Sequence, residues 1–315
     1  MGERTRVVGH SVGKIDGISL ATGRGVFTAD ELPRDTLFAA ILPSPHAHAR
    51  ILSIDKSEAE AMPGVRAVLT WEDVPRVPHT TAGQGYPEPS AYDAYCLDNK
   101  VRYIGDRVAA VAAVTPEIAR DALSLLRVEY EVLDAVLDPR RAFDDDAPVI
   151  HDEPESKVII PITWKPEMNL AAEATAQMGD AEGLLSESDV VVEGEYEFHQ
   201  TQHCPLEPHV VLTSINEMGR LVIRTSTQVP FHVRRIVSER LNIPVRQIRV
   251  IKPRIGGGFG AKQEVLLEDV CSALTLKTQR PVLLEYNRAE EFVSSRTRHP
   301  MIVKLRTGAT RDGLI

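Results

Sequence analysis

Five residues, Gly256-Gly257-Gly258-Phe259-Gly260, carry the strongest chemical signal in the chain. Glycine lets a backbone come within contact of a ligand, and bare N–H groups at the mouth of a helix suit an anion. A short β-branched run (Ile248, Val250, Ile251) precedes them, and Val265 to Leu274 follows with apolar residues at helical spacing. The layout reads strand, glycine loop, helix. A dinucleotide fingerprint needs a third glycine where the chain has Ala261, and a P-loop needs Ser or Thr where Lys262 is followed by Gln263. One large aromatic among four glycines is unusual for a turn, although a plain tight turn stays open from this loop alone.

Two further segments bear groups that do chemistry. Between Gln200 and His209 lie His203, Cys204, Glu207 and His209. They are metal-ligating types, but the prolines and uneven spacing fit no common metal site, which leaves a structural or pocket-edge role. Gln228 ends the run Ser226-Thr227-Gln228 just before Pro230, where its amide can donate one hydrogen bond and accept another or simply cap the turn. Arg296-Thr297-Arg298-His299 is basic and suits an anion or a solvated turn. His46, His48, His79 and His151 are scattered as surface or packing residues would be. A nucleophilic hydrolase has no G-x-S-x-G elbow to rest on.

The elements that must position these groups follow from periodicity. Strands are expected at 36–42, 49–54, 65–70, 108–114 and 127–132, with helices at 57–62, where Ser57 would be the N-cap, and at 117–126, opened by Thr115-Pro116. Strand, helix, strand describes an α/β unit over residues 1–137, led by a glycine-punctuated extended arm. Residues 138–165, rich in Asp, Glu and Pro, read as a linker. A second domain over 166–315 begins with a helix at 181–188 and a long alternating strand at 189–198. Paired strands at 210–215 and 221–226, a helix at 230–241 and the glycine loop follow. Met301 to Arg306 reads as a strand, Thr307 to Asp312 as a turn, and Gly313 to Ile315 as the start of another strand. A chain stopping there is expected to have been cut or to continue in another polypeptide.

Composition sets outer limits. With 315 residues and 43% apolar residues the chain can bury a large core of about two domains. A net charge of −9 argues against a general nucleic-acid or anionic-membrane surface. No stretch approaches a membrane span, and Met1 to Gly9 lack the apolar core of a secretory signal, so a cytoplasmic protein is expected. Cys96, Cys204 and Cys271 form no CxxC pair, which supports neither a zinc site nor an iron–sulfur cluster here; reduced core or pocket residues are expected.

Taken together, Ser226-Thr227-Gln228 and Gly256-Gly257-Gly258-Phe259-Gly260 resemble the molybdenum-binding subunit of the xanthine dehydrogenase/aldehyde oxidase family. Other matching stretches are Gly17 to Asp30, Ser44 to Ile51, Met62-Pro63-Gly64-Val65, Val101 to Val108, His203 to Pro208, Val250 to Pro253, Gly258 to Gln263 and Arg296 to His299. Thr70 to Pro75, Thr81-Ala82-Gly83, Gln202 to Cys204 and the Lys262-Gln263 pair are most similar to bacterial xanthine dehydrogenases with separate subunits.

The resemblance implies an α+β or α/β fold, a hammerhead domain followed by the first part of a molybdopterin-binding domain. It implies a molybdenum–molybdopterin cofactor, plain or as its cytosine dinucleotide. Gln228 would hydrogen-bond the metal's oxo ligand, and Gly258, Phe259 and Gly260 would approach the cofactor. Gln228 and Phe259 would lie near the molybdenum without being direct ligands. Gln263 falls where purine oxidases have a substrate-binding Glu, and a neutral amide there weakens the case for a purine.

The reaction implied is hydroxylation of an N-heterocycle such as xanthine or hypoxanthine with oxygen from water. The alternatives are an aldehyde or nicotinate-type aromatic hydroxylase subunit, or a truncated non-catalytic fragment. The family's catalytic Glu base would lie beyond Ile315, so no catalytic residue is assigned. Activity would then need a chain carrying the remaining molybdopterin domain, with 2Fe-2S and FAD on iron–sulfur and FAD subunits.

Overall fold

A computed structural model of the chain describes residues 5–80 and 85–315. The Thr81-Ala82-Gly83 stretch lies outside the described residues, as do the first four residues. The arm is not wholly extended: Gly17–Ala21 forms one helical turn, and Asp16 before it accepts from Arg254, just upstream of the glycine loop.

The first half contributes β1 (Leu37–Pro43), β2 (Ala49–Asp55), β3 (Val65–Leu69), β4 (Arg107–Ala113), helix α1 (Pro116–Leu123) and β5 (Arg127–Val132). Thr115 caps α1 as its sequence implies, its hydroxyl accepting from the Ile118 N–H at 3.2 Å. Ser57 is not a cap. It is the first residue of the helix Ser57–Ala61, and its own N–H is held by the Asp55 carboxylate at 3.0 Å.

The second half contributes β6 (Val190–Phe198), β7 (Val210–Ile215), β8 (Leu221–Thr225), α2 (Pro230–Arg240), β9 (Ile248–Ile251), α3 (Glu268–Thr278), β10 (Val282–Glu285), α4 (Arg288–Ser294) and β11 (Met301–Ala309). The strand β11 runs through Thr307, where a turn is expected, because its pairing with β6 continues to Ala309 and Val190. Residues 313–315 carry no strand.

One seven-stranded sheet passes through both halves in the order β9-β8-β7-β10-β1-β4-β3. The joint is the parallel pair β1–β10, where Leu37, Phe38 and Ala39 face Val282, Leu283 and Leu284. The strand β4 shows why a continuous apolar run belongs in such a sheet. Ala110 and Ala112 point into the core that α2 and α3 cover, while Ala109, Val111 and Ala113 point into the core beneath α1. A second sheet has β2 at its centre, with a short strand, Lys100–Val101, on one side and β5 on the other. The strands β6 and β11 form a two-stranded ribbon, with Val192, Tyr196, Phe198, Met301 and Leu305 all about half exposed. Among the described residues no helix is long and apolar enough to cross a membrane.

The helix after the glycine loop starts later than its apolar spacing implies, at Glu268 rather than Val265. Val265 to Leu267 are buried off the helix. The Glu268 carboxylate takes the Leu266 and Leu267 N–H groups, and Arg107 of β4 takes the Leu266 carbonyl at 2.9 Å. Asp269 in the first turn of α3 is fully buried between Arg107 and Arg240. Burial alone would raise its carboxyl pKa; the two guanidinium groups outweigh that and hold it below the usual value. The exit of the loop is thereby bolted to a strand of the first half.

Candidate functional site

The glycine loop closes as a tight turn. The Ala261 N–H donates to the Gly258 carbonyl at 2.8 Å, and the residues between them, Phe259 and Gly260, have φ of 53° and 99°. Two positive φ values in succession are the pattern of a type I′ turn. Gly260 adopts it freely. For Phe259 it is strained, by about 1–3 kcal/mol, so the surroundings must impose it. The Phe259 ring is 71% exposed, with one edge beside Gly257, which it flanks together with Pro205.

Gln228, three residues past the end of β8, reaches into this turn. The Gly260 N–H donates to Gln228 Oε1 at 3.1 Å, and the Gln228 backbone N–H donates to the Lys262 carbonyl at 2.7 Å. A Cβ on Gly258 would lie 2.6 Å from Gln228 Oε1, so only glycine lets the amide in. With Oε1 accepting, Gln228 Nε2 is left as a donor with no protein partner among the described residues. The Phe259 N–H likewise has no acceptor among them. The structure therefore gathers Gln228, Gly258, Phe259 and Gly260 at one place. Gln263 follows Lys262 on the same loop and is half-buried.

The segment from Gln200 to His209 is a strut for this loop. Glu207 donates its N–H to the Gly256 carbonyl at 3.1 Å, and its Oε2 accepts from the Gly256 N–H at 2.8 Å. The Lys262 ammonium is buried and donates to the Glu207 carbonyl at 2.8 Å and to Glu207 Oε2 at 2.9 Å. His209 Nε2 sits 3.2 Å from the Ala261 carbonyl while its Nδ1 meets Glu291 of α4 at 2.8 Å. Burial would raise the Glu291 carboxyl, and the bonds from His209 bring it below its ordinary value.

Neither Glu207, Lys262 nor His209 carries a spacing signal, because each acts on residues some fifty positions away. Among the described residues no group of three or more His, Cys, Asp or Glu could hold a metal ion. Cys96 and Cys271 are buried and Cys204 is exposed, all as free thiols. Arg296 binds Glu264 beside the loop and, with Thr297 and His299, lines a separate cleft of about 410 Å3. Neither that cleft nor one of about 190 Å3 around Tyr95, Arg107 and Tyr286 is lined by Gln228 or the glycine loop.

This donor set defines what it can hold. Backbone N–H groups and one amide donor suit a group that presents oxygen acceptors. With no cluster of metal-ligating side chains here, a metal would have to arrive with ligands of its own, as it does on a pterin. The open space at Gly260, where a Cβ would meet only His203 Nε2 at 3.9 Å, leaves the backbone bare for close approach. The residues fit such a group.

The loop lies in a segment that matches a known family. Residues 164–315 match the molybdopterin cofactor-binding domain family, and residues 22–134 match the a/b hammerhead domain of aldehyde oxidase and xanthine dehydrogenase. The probable hypoxanthine oxidase XdhD of Escherichia coli (strain K12) is 40% identical over 330 residues, covering 98% of this chain and 34% of the relative. The nicotinate dehydrogenase large molybdopterin subunit of Eubacterium barkeri is 34% identical, covering 99% of this chain and 69% of the relative. The aldehyde oxidoreductase of Desulfovibrio desulfuricans ATCC 27774 superposes with a TM-score of 0.84 at 27% identity, over 98% of this chain and 33% of the other. The chain thus spans about a third of the length of XdhD and about two thirds of the nicotinate dehydrogenase subunit.

Proposed function

The chain belongs to the aldehyde oxidase and xanthine dehydrogenase family of molybdopterin enzymes, and we propose that it supplies one wall of the cofactor pocket of a hydroxylase acting on an N-heterocycle such as hypoxanthine or xanthine. The observation that carries this is the Gln228 amide, locked by the Gly260 N–H so that Nε2 is the outward donor. When bound, a molybdenum–pterin group would supply the two-electron oxidation of the substrate. Gln228 Nε2 and the Phe259 N–H donate toward oxygens of that group. Gly258 and Gly260 let it approach, and the exposed Phe259 ring shields its flank from water. Neither Gln228 nor Phe259 ligates the metal.

Residues outside these 315 complete the pocket and supply the proton acceptor, and partner subunits carry the 2Fe-2S and FAD groups. We assign the complex to the cytoplasm, with the pterin plain or extended by a cytosine nucleotide. The domain division we adopt is 1–137 and 166–315, joined by 138–165.

The test is metal and pterin analysis of the purified complex containing this chain; a complex without molybdenum would overturn the proposal. A second reading, a nicotinate-type or aldehyde hydroxylase, is favoured by the neutral amide of Gln263 and by the likeness to the nicotinate dehydrogenase subunit. Turnover with hypoxanthine, xanthine, nicotinate and benzaldehyde separates the two. Activity confined to nicotinate or benzaldehyde would replace the first reading by the second.

A further inference from the structure

The contacts around the glycine loop close a ring. Gly256 is held by Glu207 through two hydrogen bonds, and Glu207 holds Lys262 through two more. The Lys262 carbonyl holds the Gln228 N–H, and Gln228 Oε1 holds the Gly260 N–H. Lys262 thus links the strut to Gln228, through its ammonium on one side and its carbonyl on the other. Its side chain is fully buried, Glu207 Oε1 is buried with no partner among the described residues, and Lys262 is the positive charge among them that this carboxylate meets directly. A buried pair of this kind is weak evidence for stability, because apolar residues of similar volume often serve as well. It is better evidence for a fixed arrangement.

We propose that the Glu207–Lys262 pair is a positioning lock, holding Gln228 and the Gly256–Gly260 turn in the shape that receives the cofactor before the cofactor arrives. Neither residue touches the group itself. Lys262 holds Gln228 in register through its carbonyl, and Glu207 fixes the entry of the turn at Gly256. Phe259 is kept in its strained conformation because both ends of the turn are tied. The proposal rests on the pterin-pocket reading for its purpose, but the lock exists in the chain alone.

The experiment compares the wild type with Glu207→Gln, Lys262→Met and the double variant, using two readouts. The first is hydrogen exchange of the 315-residue chain without cofactor. The Gln228 and Gly260 amides are expected to exchange about tenfold faster in each variant, while amides of α3 (268–278) stay at the wild-type rate. The second is pterin and molybdenum content of the assembled complex, expected to fall about tenfold or more.

The double variant separates positioning from bulk stability, since it leaves no buried charge unpaired. Its melting temperature is expected to return to within a few degrees of the wild type while loop exchange stays fast and pterin content stays low. A double variant with wild-type loop exchange and pterin content would overturn the proposal. Should Lys262→Met fail to fold, the near-isosteric Glu207→Gln decides: wild-type exchange at Gly260 in that variant also overturns it. A wild-type complex without pterin would refute the pocket reading and leave the exchange result standing.

Discussion

An alanine at position 258 probes the loop at its tightest point. The added methyl would lie 2.6 Å from Gln228 Oε1, and a flexible side-chain end yields more readily than backbone. Gly258→Ala should therefore push Gln228 out of the turn and free the Gly260 N–H. Stability should change by no more than about 1 kcal/mol, whereas turnover of the assembled enzyme should fall on the order of 100-fold. Thermal melts and steady-state rates measured together check this; unchanged turnover would remove Gln228 from the pocket. The members of this turn are legible in sequence because glycines flanking an aromatic are locally odd, and Gln228 is legible through resemblance. Glu207 and Lys262 are not, since a Glu and a Lys in polar surroundings look like solvated charges until the fold buries them together.

At the level of elements, α2 and α3 carry the groups whose titration and burial decide how firmly the site is held. His232 of α2 is buried, its Nδ1 accepting from Arg235 at 2.9 Å with Glu88 at 3.5 Å and its Nε2 without a partner among the described residues. Burial, then Arg235, lowers its pKa to about 4, with Glu88 pulling the other way and His79 and Arg240 adding to the depression. Folding therefore excludes a proton that the unfolded chain binds below about pH 6.5. The stability at stake is fully present above that pH, declines as pH falls, and is lost by about pH 4.

Urea midpoints between pH 7 and pH 4 should fall for the wild type and less steeply for His232→Asn. The difference should be on the order of 3 kcal/mol across the window. Asp93 and Asp106, whose carboxyls burial raises, contribute an opposite slope common to both proteins. Parallel curves would show that His232 does not titrate with unfolding. Asp269 of α3 makes a second test. Asp269→Asn leaves Arg240 and Arg107 short of their counter-charge in a buried place and should destabilise by about 3–5 kcal/mol in urea titration at pH 7; a loss under 1 kcal/mol would mean that water reaches these arginines.

Across the whole molecule, elements were easier to read than their assembly. Most strands and helices lie within a few residues of where periodicity puts them, because alternation and 3.6-residue spacing are local properties. The misplacements have local causes too: Glu268 and Arg107 take the polar groups of Val265 to Leu267, and pairing carries β11 past Thr307. The order of strands in a sheet is not local. Nothing in residues 37–39 announces that they pair with residues 282–284. A chain ended at residue 137 should for that reason lack a cooperative urea transition and near-ultraviolet circular dichroism, since β1 would lose one neighbour and the α3 side of its core. A sharp, reversible transition in that chain would show the first half to be self-sufficient.

The β1–β10 joint also sets a timetable. β1 leaves the ribosome early, but its second partner is made only when residue 285 has been added, on the order of ten to fifty seconds later at ordinary elongation rates. Throughout that interval one edge of an apolar strand is unpaired, its backbone held only by water and open to pairing with another nascent chain. Yield in the cell should consequently respond to translation speed between codons 43 and 285, and to factors that shield unpaired strands, more than to the equilibrium stability of the finished protein.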